Sequence, residues 1–182
     1  MNHKGVNTVK RIAIDMDEVI SHFSAKCLEL FNDEFNESYT DHHLHGKKLI
    51  ELDARFEKKV DHYLANELFF LELDVIKDSQ EVIKELSACY EIYIVTAAME
   101  FPASLAPKYR WLKKHFSFLN EKNFVFCGDK SIILADYLID DTPSNLETFQ
   151  GKGLLFTAPH NVHTTGYTRL NNWKDTADYF LK

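Results

Sequence analysis

The sequence predicts an α/β fold: a doubly wound, parallel, Rossmann-like sheet with helices on both faces and a small helical cap inserted after its first strand. Three observations carry this. Five short apolar runs are continuous rather than alternating, as strands buried on both faces of a parallel sheet read. Helix-period segments alternate with them, which implies right-handed βαβ units. One long interval, between the first run and the second, breaks the alternation and holds helical patterns alone.

The first run is residues 11–15, Arg-Ile-Ala-Ile-Asp. Residues 19–76 follow with no convincing strand. They hold an amphipathic run through Phe23, Cys27, Leu28, Leu30 and Phe31, then the polar stretch Asp41-His42-His43-Leu44-His45-Gly46. A second helical run passes through Leu49, Leu52, Phe56, Val60, Tyr63 and Leu64. This is too long for one crossover helix, so residues 19–76 read as an inserted cap, placed to act as a lid. The histidine stretch reads as a solvated loop.

Residues 1–18 and 77–182 make the core. A helix is expected over 78–86, with Asp78-Ser79 as its cap and Val82, Ile83 and Leu86 on its apolar stripe. Strands follow at 91–96 (Glu-Ile-Tyr-Ile-Val-Thr), 123–127 (Asn-Phe-Val-Phe-Cys), 137–140 (Tyr-Leu-Ile-Asp) and 153–157 (Gly-Leu-Leu-Phe-Thr). Between and after them, helices are expected over 104–116, over 145–149 following Pro143-Ser144, and over 173–181.

Composition sets bounds on function. With 182 residues, 45% apolar and 27% charged, this is an ordinary globular chain of one domain with an insertion. A formal charge of −7 argues against a nucleic-acid polymer as partner, because such a groove needs positive surface. A small phosphorylated substrate needs only local positive charge or a metal. Cys27, Cys89 and Cys127 show neither zinc nor disulfide spacing, and Cys89 and Cys127 read as buried small hydrophobes. The N-terminal Met-Asn-His-Lys-Gly lacks an apolar leader and no stretch reaches transmembrane length. No membrane partner is expected, and a reducing, cytoplasmic location is.

The strand ends carry the chemistry. The first delivers Asp15 and Asp17, the second Thr96, the third Gly128-Asp129-Lys130, and the fourth Asp140-Asp141. Side chains two apart on an extended strand share a side, at the edge where open α/β sheets bind ligands. Mg2+ wants oxygen ligands and keeps room for water and a phosphate oxygen. Asp15, the Asp17 carbonyl or carboxylate, and one of Asp140 or Asp141 would supply the protein share. Lys130 adds fixed positive charge for a phosphoryl group, and the Thr96 hydroxyl with the Ala97 backbone can hold another phosphate oxygen. Asp15 is then placed to attack phosphorus, and Asp17 to serve the leaving alkoxide and the hydrolytic water as acid and base.

The set Asp15-Met-Asp17, Thr96, Lys130 and Asp140-Asp141 resembles the four motifs of the haloacid dehalogenase superfamily of phosphohydrolases. Ile94-Val95-Thr96, Pro107-Lys108-Tyr109-Arg110-Trp111, Leu138-Ile139-Asp140-Asp141 and the late Leu155-Phe156-Thr157-Ala158-Pro159-His160-Asn161 resemble its 5′(3′)-deoxyribonucleotidase family, over nearly the whole length. The resemblance implies a magnesium-dependent phosphomonoesterase acting on nucleoside monophosphates through an aspartyl-phosphate. Asp15 would be the nucleophile, Asp17 the acid/base, and Thr96, Lys108 and Lys130 the phosphate ligands. Asp15, Asp17 and the pair Asp140 and Asp141 would hold the metal, with Asp141 the direct ligand. Phe23 and Phe70 match aromatic positions facing the nucleoside. The family often forms dimers, so a homodimer is an expected assembly. Three positions depart from the family pattern: Glu18 stands where better-known members carry Gly, Gly128 where a basic residue is common, and residues 41–46 lack the family's aromatic pair.

Three other classes compete with this reading. A phosphatase of the same superfamily acting on another small phosphorylated metabolite shares every core motif. A receiver domain places its acidic pair first and its phosphoaccepting Asp alone, the reverse of this order. A non-catalytic phosphate-binding protein would usually have lost Asp15 or Asp17.

Overall fold

The computed structural model describes residues 9–182, so the polar N-terminal stretch lies outside the described residues. Strands β1 (Arg11–Ile14), β2 (Glu91–Thr96), β3 (Phe124–Phe126), β4 (Tyr137–Asp140), β5 (Lys152–Phe156) and β6 (Thr168–Leu170) form one sheet. Its order is β3-β2-β1-β4-β5-β6, with each neighbouring pair parallel. The order reverses between β1 and β4, which opens a crevice at their C-terminal ends.

β6 corrects the expectation of five strands. Thr-Arg-Leu shows no apolar run because it is an edge strand paired only with β5, and Leu170 is its one buried residue. The helices are α1 (Phe23–Phe35), α2 (Leu49–Leu52), α3 (Phe56–Leu64), α4 (Glu67–Leu71), α5 (Ser79–Leu86), α6 (Leu105–His115), α7 (Pro143–Thr148) and α8 (Trp173–Leu181). α7 begins earlier than the expected 145, since Pro143 occupies its first turn, where a missing N–H costs nothing. Asp78 precedes α5 in the left-handed region at φ 66° and makes no side-chain cap bond, contrary to expectation. Cys89 is exposed rather than buried, because it lies in the turn between α5 and β2; Cys127 is buried.

Strand alternation splits the core into two layers. Ile12, Ile14, Ile92 and Ile94 face α5, α6 and α8 through Val82, Ile83, Leu86, Trp111, Leu112 and Trp173. Ala13, Val95, Leu138 and Leu155 face the other way, onto Leu146 of α7 and Phe149. The first layer continues into α1–α4, where Phe31 stacks on Phe56 with ring centroids 3.9 Å apart.

The segment carrying α1–α4 leaves and re-enters through a paired neck. His22 N–H donates to the Asp74 carbonyl and Ile76 N–H to the Ile20 carbonyl, each at 2.9 Å. Two indoles from the core tie this neck: Trp173 Nε1 donates to the Val19 carbonyl and Trp111 Nε1 to the Leu73 carbonyl, both at 2.8 Å. Trp173→Phe keeps a ring in place but orphans the buried Val19 carbonyl. The expected result is a loss of about 1–3 kcal/mol in denaturant unfolding, with no change in the slope of the transition.

Candidate active site

β1 ends at Ile14, and the Asp15 N–H extends its pairing with β4 by donating to the Ile139 carbonyl at 2.9 Å. This puts Asp15 in the crevice beside Asp140, the last residue of β4, and Asp141. Carboxylate oxygens of these three buried residues lie within 4.8 Å of one another. Lys130, carried by the short helical turn after β3, is buried among them. Its Nζ sits 2.5 Å from Asp15 Oδ1 and 2.6 Å from Asp140 Oδ2. Asp140 is further occupied by the Thr142 N–H at 2.9 Å and by Asn145 Nδ2 at 3.1 Å. Among the described residues the Asp141 carboxylate pairs only with His160 Nε2, at 3.5 Å, and Asp141 lines the cavity.

One ammonium against three buried carboxylates leaves excess negative charge, and the titration directions follow. Burial pushes Asp15 up to about 7; Lys130 opposes this, while Asp140 and Asp17 add to it. Burial, then Asp15 and Asp140, hold Asp141 well above the ordinary carboxylate range. Burial works against the Lys130 charge, but Asp15 and Asp140 outweigh it and raise its pKa.

The Asp17 carboxylate does not join the trio, which leaves its carbonyl as the other ligand atom expected at this residue. Residues past Ile14 are no longer extended strand, so the two-residue alternation does not apply. The carboxylate turns instead to Lys108 on α6, with Oδ2 2.5 Å from Nζ. Lys108 also donates to Thr96 Oγ1 at 3.1 Å and lies 5.1 Å from the Phe70 ring centroid. The other oxygen, Asp17 Oδ1, is buried without a hydrogen-bond partner among the described residues.

A cavity of about 550 Å³ opens above these groups. Asp15, Asp17, Ala97, Lys108, Lys130 and Asp141 reach its wall from the sheet side. Phe23 and Phe70 reach it from α1 and α4. Thr96 and Asp140 are buried behind that wall rather than lining it. Of the histidine stretch, only Leu44 lines the cavity, while His42, His43 and His45 are exposed, as the solvated-loop reading expected.

Three supporting residues were not legible in the sequence. Glu18 stands at φ 60°, a left-handed conformation that explains why Gly would suit the position. Its buried carboxylate accepts the Ser24 N–H and so caps α1, whose own N-cap His22 makes no side-chain bond. Burial pushes Glu18 up to about 7, against the pull of that bond. Asn161 donates from Nδ2 to the carbonyls of Asp141 (2.7 Å) and Phe156 (2.8 Å). Arg169 on β6 fixes Asn161 in turn, donating to its Oδ1 at 3.0 Å and to its carbonyl at 3.1 Å.

Comparison with known proteins decides what this crevice belongs to. Residues 7–182 match the family model described as 5′ nucleotidase, deoxy (pyrimidine), cytosolic type C protein. The chain belongs to that family. A Bacillus subtilis 5′(3′)-deoxyribonucleotidase is 38% identical over 169 residues, covering 91% of this chain and 95% of its own. A Staphylococcus epidermidis protein, provisionally named a 5′(3′)-deoxyribonucleotidase, is 46% identical over 173 residues, covering 95% and 97%. Solved structures confirm the fold. A haloacid dehalogenase-like hydrolase from Streptococcus pneumoniae superposes with TM-score 0.62 at 14% identity, covering 94% of this chain and 98% of its own. The Bacillus subtilis hydrolase YfnB, solved bound to magnesium, gives 0.59 at 15% identity, again over 94% and 98%. This nucleotidase-family chain is thus a phosphoric monoester hydrolase with a haloacid dehalogenase fold. Among its described residues no helix is long and apolar enough to cross a membrane.

Proposed function

We propose that the chain is a magnesium-dependent 5′(3′)-deoxyribonucleotidase that hydrolyses nucleoside monophosphates through an aspartyl-phosphate on Asp15. The observation that carries this is the Asp15–Lys130 contact inside a carboxylate trio, under a cavity that Phe23 and Phe70 also line. Residues 19–76 would form a cap domain over the core of residues 1–18 and 77–182, acting as a lid whose aromatics take the nucleoside. Its location would be cytoplasmic, and its partners limited to the substrate and a second copy of the chain.

The residues fit a divalent cation. The trio of Asp15, Asp140 and Asp141 is all oxygen, and its charge exceeds what Lys130 neutralises. Asp15 and Asp141 would hold the ion directly. Asp140, occupied by Lys130, Thr142 and Asn145, would orient the Lys130 ammonium instead. When bound, magnesium would offset the repulsion between an attacking carboxylate and a phosphate dianion.

The chain's own groups then divide the work. Asp15 attacks phosphorus through a carboxylate oxygen as the ester P–O bond breaks, and Lys130 stabilises the charge on the transferring group. Lys108 and the Ala97 backbone hold phosphate oxygens at the cavity wall, with Thr96 fixing Lys108 from behind. Asp17, which lines the cavity with Oδ2 held by Lys108, protonates the departing alkoxide from its carboxyl group. The same group, now a carboxylate, takes a proton from the water that attacks the acyl phosphate, which frees inorganic phosphate and restores Asp15.

The test is phosphate release from a panel of deoxynucleoside 5′- and 3′-monophosphates, sugar phosphates and phospho-amino acids, with magnesium and with EDTA. Deoxynucleotides should head the panel and EDTA should silence it. Uniformly poor rates on all nucleotides would leave only the phosphatase core of this reading. The Arg169–Asn161 brace adds a second expectation. Asn161→Ala should raise the magnesium concentration needed for half-maximal rate by roughly 10–100-fold, as loss of outer-shell support does elsewhere. An unchanged magnesium titration would show the brace to be structural only.

A further inference from the structure

The cavity holds two cations for which the proposed mechanism has no use. Lys47 and Lys48 line it from the segment between residue 46 and α2. Both are exposed, and neither forms an ion pair among the described residues. Unpaired neighbouring lysines facing an active-site cavity, in a chain of net charge −7, are positive charge placed locally against the overall field.

Their place across the sheet edge is fixed. Gly46 N–H donates to the Pro159 carbonyl at 2.9 Å, which pins this segment to the loop after β5. The contact is close: a Cβ on Gly46 would stand 2.3 Å from His163 Cδ2, and φ is +71°. Lys48 and His160 line the same cavity. His160 in turn touches Asp141. The segment carrying Lys48 therefore sits on the β4–β5 side of the crevice. Lys108 and Thr96 sit on the β2 side, with Asp15 of β1 between. The reacting phosphate, held by Lys108 and Lys130, leaves the Lys47–Lys48 end of the cavity for another group.

We propose that Lys47 and Lys48 form a second anion subsite, so that the cavity takes a nucleotide bearing two separate phosphomonoesters, a nucleoside 3′,5′-bisphosphate. This rests on the nucleotidase reading and names its substrate class. One phosphate is hydrolysed at Asp15, its ester P–O bond breaking with water as the final acceptor. The other stays esterified to the sugar and is gripped by the two ammonium groups. The products are inorganic phosphate and a nucleoside monophosphate that retains the gripped group. Both lysines are solvent-facing, so their pull on the spectator phosphate is screened by salt.

The test measures competition against hydrolysis of p-nitrophenyl phosphate, a readout that needs no nucleotide turnover. Inhibition constants are compared for a deoxynucleoside 5′-monophosphate and its 3′,5′-bisphosphate, with phosphate release from each followed separately. The bisphosphate should bind about tenfold more tightly at low salt, an advantage that shrinks as salt is raised. In Lys47→Gln/Lys48→Gln the ratio of the two constants should fall to near one, and Lys48→Glu should invert it. Equal constants in the unmodified protein, or a ratio that survives the double substitution, would overturn the subsite. Absence of phosphate release from the monophosphate would overturn the nucleotidase reading instead, and the ratio of constants would still decide the subsite.

Discussion

Asp15→Asn is expected to lower turnover at least about a thousandfold and to leave the fold intact, since an amide cannot form the acyl phosphate. Stability is the more informative readout. Asp15 is buried, and its carboxyl is raised from 3.8 to about 7 by burial foremost. A group that binds its proton more tightly in the folded state stabilises the fold below its unfolded pKa and loses that contribution as pH rises. For the metal-free protein, stability should therefore fall between about pH 4 and pH 7, the window set by those two values. Glu18, raised from 4.5 to about 7, acts in the same direction. Thermal melts in EDTA across this range should show the decline in the unmodified chain and a shallower one in Asp15→Asn. Magnesium should raise the Tm of the unmodified protein near pH 7 and shift the variant less. A variant that keeps substantial turnover would remove Asp15 from the nucleophile's role.

Lys130→Met should be the most disruptive single change in the crevice. The methionine fills similar volume, but Asp15 and Asp140 lose the only ammonium within 3 Å of either among the described residues. Breaking one side of a buried ion cluster costs about 3–5 kcal/mol, because the remaining charge is left uncompensated. Denaturant unfolding near pH 7 should show that loss, and lowering the pH should recover part of it as the carboxylates protonate. Turnover should collapse as well, since the transferring phosphoryl group loses its fixed positive charge. Lys130→Arg keeps charge but not shape. It should recover stability more than activity, because a planar guanidinium does not reproduce a point contact with both carboxylates. A Lys130→Met protein as stable as its parent would mean that the trio is already neutral when folded.

Much of this was legible along the chain. The strands carrying Asp15, Thr96 and Asp140 are buried on both faces, and such strands must be apolar throughout, so their ends were marked by the first polar residue. The interval between β1 and α5 was legible as helical because Cys27, Leu28 and Phe31 recur at helical spacing, as do Phe56, Val60, Tyr63 and Leu64, and both sets pack in one core. β6 escaped because an edge strand of three residues needs no apolar run. Cys89 was misplaced because an apolar neighbourhood in sequence ended in a turn facing solvent.

What the sequence by itself determined is the order of chemistry: a carboxylate pair, a hydroxyl, a lysine and an acidic pair, each at a strand end. That follows from local rules, since hydrophobic runs set strands and polar residues end them. Only the tertiary structure decided how those groups share the work. Lys130 lies between Asp15 and Asp140, Asp17 turns away to Lys108, and Asp141 is left facing the cavity, held through its carbonyl by Asn161. Those pairings join residues as far apart in the chain as Asp15 and Lys130. They depend on which strands are neighbours and on where burial makes an unpaired charge too costly to keep, and no local pattern encodes either.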